Sequence, residues 1–199
     1  LTPEERAGLD ASTPNAHFTY DLYGPIWEAV TAAGFAGGKI LEPSVGTGHA
    51  FGFMDPAVRA QSRLNAVELD PITASIAQAL YPSAKVQRTG YEKSRIARNT
   101  QDLVIGNVPF GKYPIIDRVF PSFLTEMIHN YFFAKAMDHV RPGGLIVFIT
   151  SKGTMDARTA TPVRRYLMDR AHFLGAVRLP STAFDASAKT EVVTDIIVL

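Results

Sequence analysis

Apolar and polar positions alternate between two rhythms along this chain. Residues 21–33 carry Leu22, Ile26, Val30 and Ala33 at helical spacing and stop at Gly34. Lys39-Ile40-Leu41 is a short strand that runs into a Gly-rich turn, and residues 63–68 form a second strand. Pro71, with φ pre-set for a first helical turn, opens a helix that reaches about Tyr81. Residues 84–87 and 103–105 are a third and a fourth strand. Residues 126–140 keep helical spacing until Arg141-Pro142-Gly143-Gly144 ends it as a turn. Residues 145–150 are nearly continuously apolar, the pattern of a strand buried on both faces. Residues 161–171 read as a helix, and 173–179 and 191–199 as two last strands with a polar loop between them. Such alternation predicts a parallel sheet with helices on both faces. The final two strands, with no helix between them, predict an antiparallel pair at one edge.

Composition narrows the class. A chain of 199 residues supports one substantial core and is too short for two. No repeat, low-complexity stretch or linker divides it, so residues 1–199 are read as one domain. The 46% hydrophobic and 20% charged content is that of a soluble globular protein. No run approaches the ~18 apolar residues of a membrane span, and no charged-then-apolar leader is visible. The absence of cysteine removes disulfides and thiolate metal sites and fits a cytoplasmic protein. The five histidines are scattered, with no pair at metal-ligand spacing, so no metal is expected. A net charge of +1 carries no nucleic-acid-like excess. Local basic clusters (Arg88, Lys93, Arg95, Arg98; Arg158, Arg164, Arg165, Arg170) are read first as solvated faces and second as phosphate contacts. The chain starts without methionine and ends on the apolar run Asp195-Ile196-Ile197-Val198-Leu199, as a piece of a longer polypeptide would.

The first strand delivers Glu42-Pro43-Ser44-Val45-Gly46-Thr47-Gly48. Gly46 and Gly48 let the backbone turn tightly and approach a ligand with no Cβ in the way. No Gly-Lys-Ser/Thr follows, which excludes a phosphate loop. A nicotinamide site stays open, although Gly52 falls one residue late for its usual spacing. Glu42 argues against it, because a carboxylate at the strand tip repels a pyrophosphate and suits a cationic ligand. About twenty positions past the glycines, Glu68 closes the second strand where a carboxylate would hold a ribose diol. Leu69 follows it, where a side chain could pack on an adenine. Asp70 before Pro71 reads as a helix cap.

The most specific stretch is 102–110, a short apolar strand that brings Asn107, Val108, Pro109 and Phe110 to one point. The Asn107 side-chain carbonyl and the backbone carbonyl of Val108 or Pro109 can each accept a hydrogen bond from one NH2 group. Phe110 offers a face for a flat ring. The group suited to this point is a planar, amino-bearing one. A plain Asn turn with a Pro stop is the alternative.

Asn107-Val108-Pro109-Phe110 resembles the Asn-Pro-Pro-Tyr/Phe signature of amino-group methyltransferases, chiefly DNA adenine-N6 enzymes, with Val108 where the first proline is usual. Glu42-Pro43-x-x-Gly46-x-Gly48 resembles their Asp/Glu-Pro-x-x-Gly-x-Gly motif. His17-Phe18-Thr19 is similar to the segment that closes over the methionine end of the cofactor. Thr89-Gly90-Tyr91 falls where Gly-Asp-Phe is frequent, with Gly90 in the Asp position. Residues 128–136 and Arg141-Pro142-Gly143-Gly144 resemble the helix and turn before the fifth strand of adenine-N6 methylases, including modules fused to large phage or plasmid helicase-like proteins. The resemblance implies an α/β fold with a doubly wound, mostly parallel seven-stranded sheet. It implies S-adenosylmethionine held by Phe18, Thr19, Glu42, Pro43, Gly46, Gly48, Glu68, Leu69, Tyr91 and Asn107. It also implies a flipped DNA adenine, methylated on N6 with Asn107, Pro109 and Phe110 at the reacting centre, as in restriction–modification. Gly111-Lys112-Tyr113 and residues 151–156 lie where a mobile lid would cover the base. No separate target-recognition domain is visible, so an adjoining target-recognition or helicase-like segment is the expected partner. RNA or protein-glutamine as acceptor, and a degenerate methyltransferase-fold scaffold, remain alternatives.

Overall fold

The computed structural model describes residues 20–181 and 193–199, and of Tyr20 and Asp21 the backbone only. Phe18 and Thr19 lie outside the described residues, as does most of the stretch between the last two strands. The helices are α1 (Tyr20–Ala32), α2 (His49–Gly52), α3 (Pro56–Ala60), α4 (Pro71–Leu80), α5 (Ser122–Thr125), α6 (Ile128–His139), α7 (Gly153–Asp156) and α8 (Thr161–Met168). The strands are β1 (Lys39–Glu42), β2 (Arg63–Glu68), β3 (Lys85–Arg88), β4 (Gln101–Asn107), β5 (Val140–Ser151), β6 (Gly175–Arg178) and β7 (Thr194–Val198). They form one seven-stranded sheet in the order β3-β2-β1-β4-β5-β7-β6. β1 to β5 pair parallel, while β7 runs antiparallel to both β5 and β6. The expected doubly wound, mostly parallel sheet with an antiparallel edge is the one found.

Period-two alternation divides the central strands between two cores. Ile40, Leu103, Ile105 and Val147 face Tyr23, Trp27, Phe51, Val58 and Ala77, which belong to the helices on one side. Leu41, Val104, Ile146 and Phe148 face Tyr131, Phe133, Val163 and Leu167 on the other. The Phe133 and Phe148 rings meet edge-on at 5.0 Å, both fully buried. Truncating such a ring to alanine costs about 3–5 kcal/mol. Asp70 caps α4 by accepting from the Thr73 N–H at 2.7 Å, as its place before Pro71 predicts.

The start of β5 departs most from its expectation. Arg141-Pro142-Gly143-Gly144 is not a turn between α6 and a strand but part of β5. Gln101 pairs with Val140 and Leu103 with Leu145, so β5 advances five residues while β4 advances two. The proline and glycines are absorbed as a bulge, and Arg141 Nε donates to Asp102 Oδ1 at 2.6 Å across it. Residues 153–156, expected in a mobile lid, form the short helix α7. The Arg164 guanidinium fastens it by donating to the carbonyls of Thr154 (3.1 Å) and Ala157 (2.9 Å).

Candidate active site

In open α/β sheets a crevice forms beyond the strand ends where the order reverses. Here the strands count outward from β1, with β2 on one side and β4 on the other. A cleft of about 790 Å³ opens at that place. The ends of β1, β2 and β4 line it through Glu42, Glu68 and Asn107, together with the turns that follow them and the turn after β3 at Thr89 and Gly90.

Glu42 ends β1 with 2% of its surface exposed, and its Oε2 has no hydrogen-bond partner. Burial first, then the nearby charge of Glu68, pushes its carboxyl well above the usual carboxylate range, against a hydrogen bond from Tyr23. A buried carboxyl left half-unsatisfied is costly on its own, and a cationic donor in the cleft would relieve that cost. Glu68 is held differently. Its Oε2 accepts from the Gly46 N–H at 2.8 Å and its Oε1 from the Asp70 N–H at 2.9 Å. Two backbone donors fix the carboxylate plane, and each oxygen keeps a lone pair for a further donor such as a diol hydroxyl.

The two glycines separate. Gly46 has φ +54°, lines the cleft, and a Cβ there would meet open space. Gly48, at φ +90°, caps α2 and does not line the cleft; a Cβ on it would collide with the Tyr81 ring. Gly48 thus also has a structural duty, since the absence of its Cβ makes room for Tyr81. Pro43 and Leu69 line the cleft, and Leu69 is 74% exposed. Tyr91 lines it too, buried against Phe132 with ring centres 4.9 Å apart.

On the opposite wall, Asn107 ends β4. Its side-chain Oδ1 is buried without a partner, while its backbone carbonyl accepts from Ser44 Oγ at 3.0 Å. Pro109 and Phe110 line the cleft beside it, the first exposed and the second half-buried. Val108 has a local reason to stand where a proline is usual. Its N–H donates to the Ile149 carbonyl at 3.1 Å, a bond proline cannot make, and its side chain is buried.

Ser44 and Glu92 belong to the site although sequence reasoning did not select them. A Cβ at position 90 would overlap the Glu92 carboxylate, so Glu92 folds back over Gly90 and fills the space of a missing side chain. A glycine followed two residues later by an acid was the one available signal. His129 and Asn130 are buried on α6 and do not line the cleft. Part of the basic clusters is committed to structure: Arg98 pairs with Asp138 at 2.6 Å, and the Arg170 guanidinium lies 3.7 Å from the centre of the Tyr166 ring. Among the described residues, no group of three or more His, Asp or Glu side chains could hold a metal, and no helix is long and apolar enough to cross a membrane.

No family model matches the chain. Its sequence is 30% identical over 211 aligned residues to the "Defense against restriction protein B" of Escherichia phage P1, covering 100% of this chain and 9% of that protein. The chain thus spans about a tenth of the length of this curated relative. A Listeria monocytogenes structure assigned to the class I S-adenosylmethionine-dependent methyltransferases superposes with TM-score 0.74 at 20% identity, over 92% of this chain and 61% of that one. The methyltransferase subunit of a type I restriction–modification system from Streptococcus thermophilus gives TM-score 0.72 at 14% identity, over 88% and 42%. Geranyl diphosphate methyltransferase in complex with S-adenosylmethionine gives 0.58 at 11%, over 88% and 82%. The fold is that of the class I methyltransferases.

Proposed function

We propose that this chain is an S-adenosylmethionine-dependent methyltransferase acting on the exocyclic N6 amino group of adenine in DNA. The observation that carries the reading is a pair of buried, unpartnered oxygens at neighbouring strand tips: Glu42 Oε2 and Asn107 Oδ1. Both residues line the same cleft. One suits a cation and the other an NH2 donor. The fold of the structural neighbours, one of them a restriction–modification subunit, and the likeness to a phage protein named for defence against restriction support DNA as the acceptor.

The chain's residues divide the work. Glu68, fixed by two backbone N–H groups, receives the ribose hydroxyls, with Leu69 and Tyr91 walling the purine and Pro43 and Gly46 shaping the turn beside it. Glu42 receives the cationic methionine end, and Phe18 and Thr19 are assigned to close over that end. S-adenosylmethionine, when bound, supplies an electrophilic sulfonium methyl. Asn107 Oδ1 and the backbone carbonyl that follows accept the two N6 hydrogens and turn the nitrogen lone pair out of the ring, towards the methyl. Phe110 and Pro109 hold the flipped base flat. Catalysis is then positioning and electrostatic placement, and the nitrogen, cationic once methylated, loses its proton to water, so no histidine base is needed. Sequence selectivity belongs to surface beyond this chain, in an adjoining target-recognition or helicase-like segment, because specific DNA recognition commonly buries more than ~1,000 Å².

The test is methyl transfer from labelled cofactor to DNA, RNA and a glutamine-bearing protein side by side, with wild type and Asn107→Ala. Label in DNA as N6-methyladenine that disappears in the variant is the expected result. Label in RNA or protein would reassign the acceptor. Cofactor binding with no transfer to any acceptor would favour a scaffold.

A further inference from the structure

A buried lysine joins the two walls of the cleft. Lys135, on α6, is 9% exposed. Its Nζ donates to the backbone carbonyl of Glu92 at 2.9 Å and to Tyr131 Oη at 3.0 Å, and stands 3.6 Å from the Asp117 carboxylate. Tyr131 Oη donates to Asp117 Oδ2 at 2.7 Å, and Asp117 Oδ1 accepts from the Val119 N–H at 3.0 Å. The ammonium also lies near the rings of Tyr91 (5.5 Å) and Tyr131 (5.6 Å). Glu92 and Tyr91 belong to the turn after β3, on the cofactor side, whereas Asp117 belongs to the loop that follows Phe110, on the acceptor side.

Burying an ammonium costs free energy, and burial lowers the Lys135 pKa while Asp117, Glu92 and Asp138 act to raise it. An apolar side chain would fill the same volume without that cost. The lysine gives something an apolar residue does not: a hydrogen bond to the Glu92 carbonyl on one wall and, on the other, an ion pair with Asp117 bridged by Tyr131. The acceptor loop is also anchored by the Ile115 N–H to the Thr125 carbonyl at 2.8 Å, the Leu124 N–H to the Pro121 carbonyl at 3.0 Å, the Ile128 N–H to the Gly111 carbonyl at 3.4 Å, and the Phe120 ring against Tyr131 at 5.5 Å.

We infer that Lys135 is a positioning residue: through Tyr131 and Asp117 it holds loop 111–121 at a set distance from the turn at 90–93, so that Tyr113 and Ile115 close the acceptor side against Asn107. The inference rests on the methyltransferase reading for what is being positioned. The latch itself stands on the bonds above.

Amide hydrogen exchange on the wild type, Lys135→Met and Asp117→Asn tests it, alongside calorimetric titration with S-adenosylmethionine and steady-state transfer to an adenine-containing DNA duplex. Both variants are expected to speed exchange across 111–121 by at least about tenfold, the effect of losing a buried charged hydrogen bond in one local unit, with β1 and β2 unchanged. Cofactor Kd should move less than about threefold, while KM for DNA rises and kcat falls. Asp117→Asn is nearly isosteric and keeps the test open if Lys135→Met fails to fold. Unchanged loop exchange in a folded variant overturns the latch, as does uniform acceleration over the whole sheet. Wild type that binds no cofactor defeats the methyltransferase reading instead, while the exchange data still decide the latch.

Discussion

The two halves of the cleft are built to different standards. On the cofactor side, Glu68 is gripped by two backbone N–H groups, and Glu42 is sealed in at the tip of β1. Beyond Asn107, the acceptor side leaves Tyr113 (66%), Ile116 (90%) and Val119 (69%) in solvent. Backbone-held polar groups pre-organise one half for a small ligand, whereas exposed apolar side chains in the other await a larger one. The cofactor half is held rigidly by the backbone, whereas the acceptor half keeps apolar surface open.

The sharpest break of this comparison comes from Asn107→Ala. It is expected to lower methyl transfer by about 10²–10³-fold, the usual effect of removing one pre-organised polar group at a reacting centre. Cofactor affinity should stay nearly intact, because the amide faces the nucleophile; rapid-quench turnover beside calorimetry checks both. Phe110→Ala should weaken base holding by about 1–3 kcal/mol, the worth of a stacked ring, read as the Kd of a duplex carrying a flipped or abasic target.

Gly48→Ala and Gly46→Ala separate scaffold from site. The first drives a Cβ into the Tyr81 ring and should lower the thermal midpoint markedly, because Tyr81 is itself packed against Phe51. The second meets open space and should cost only about 1–2 kcal/mol for its left-handed backbone. Equal losses of stability would erase the distinction between the two glycines.

A smaller effect concerns pH. The Glu42 pKa is raised in the folded chain, so between the ordinary carboxylate range and that raised value the folded state binds more protons than the unfolded one. Its contribution is therefore fully present at low pH and is lost as pH rises through the folded pKa. Glu42→Gln should flatten this part of the profile of thermal midpoint against pH. A variant profile parallel to wild type would mean that Glu42 does not titrate in this range.

Much of the scaffold was legible in the chain because it is encoded locally. β2 (Arg63–Glu68) and α4 (Pro71–Leu80) follow from an apolar run, a cap and a proline within one window. The 141–144 stretch was misleading because Pro and Gly favour chain reversal, and only pairing with β4 absorbs them as a bulge. In the site, Glu42, Glu68 and Asn107 could be placed because each ends a strand that converges on the switch point. The different duties of Gly46 and Gly48 depend on Tyr81, more than thirty residues away. The Lys135 bond to Glu92 spans 43 residues, and no local pattern encodes it.

The central claim, a cofactor half separable from an acceptor half, is tested most directly by titrating S-adenosylmethionine into wild type, Glu68→Ala and Asn107→Ala. The account predicts binding by wild type, a loss on the order of 2 kcal/mol (about thirtyfold) in Glu68→Ala, and affinity within about threefold of wild type in Asn107→Ala. Tighter binding of NAD than of S-adenosylmethionine, undiminished affinity in Glu68→Ala, or an equal loss in Asn107→Ala would contradict it.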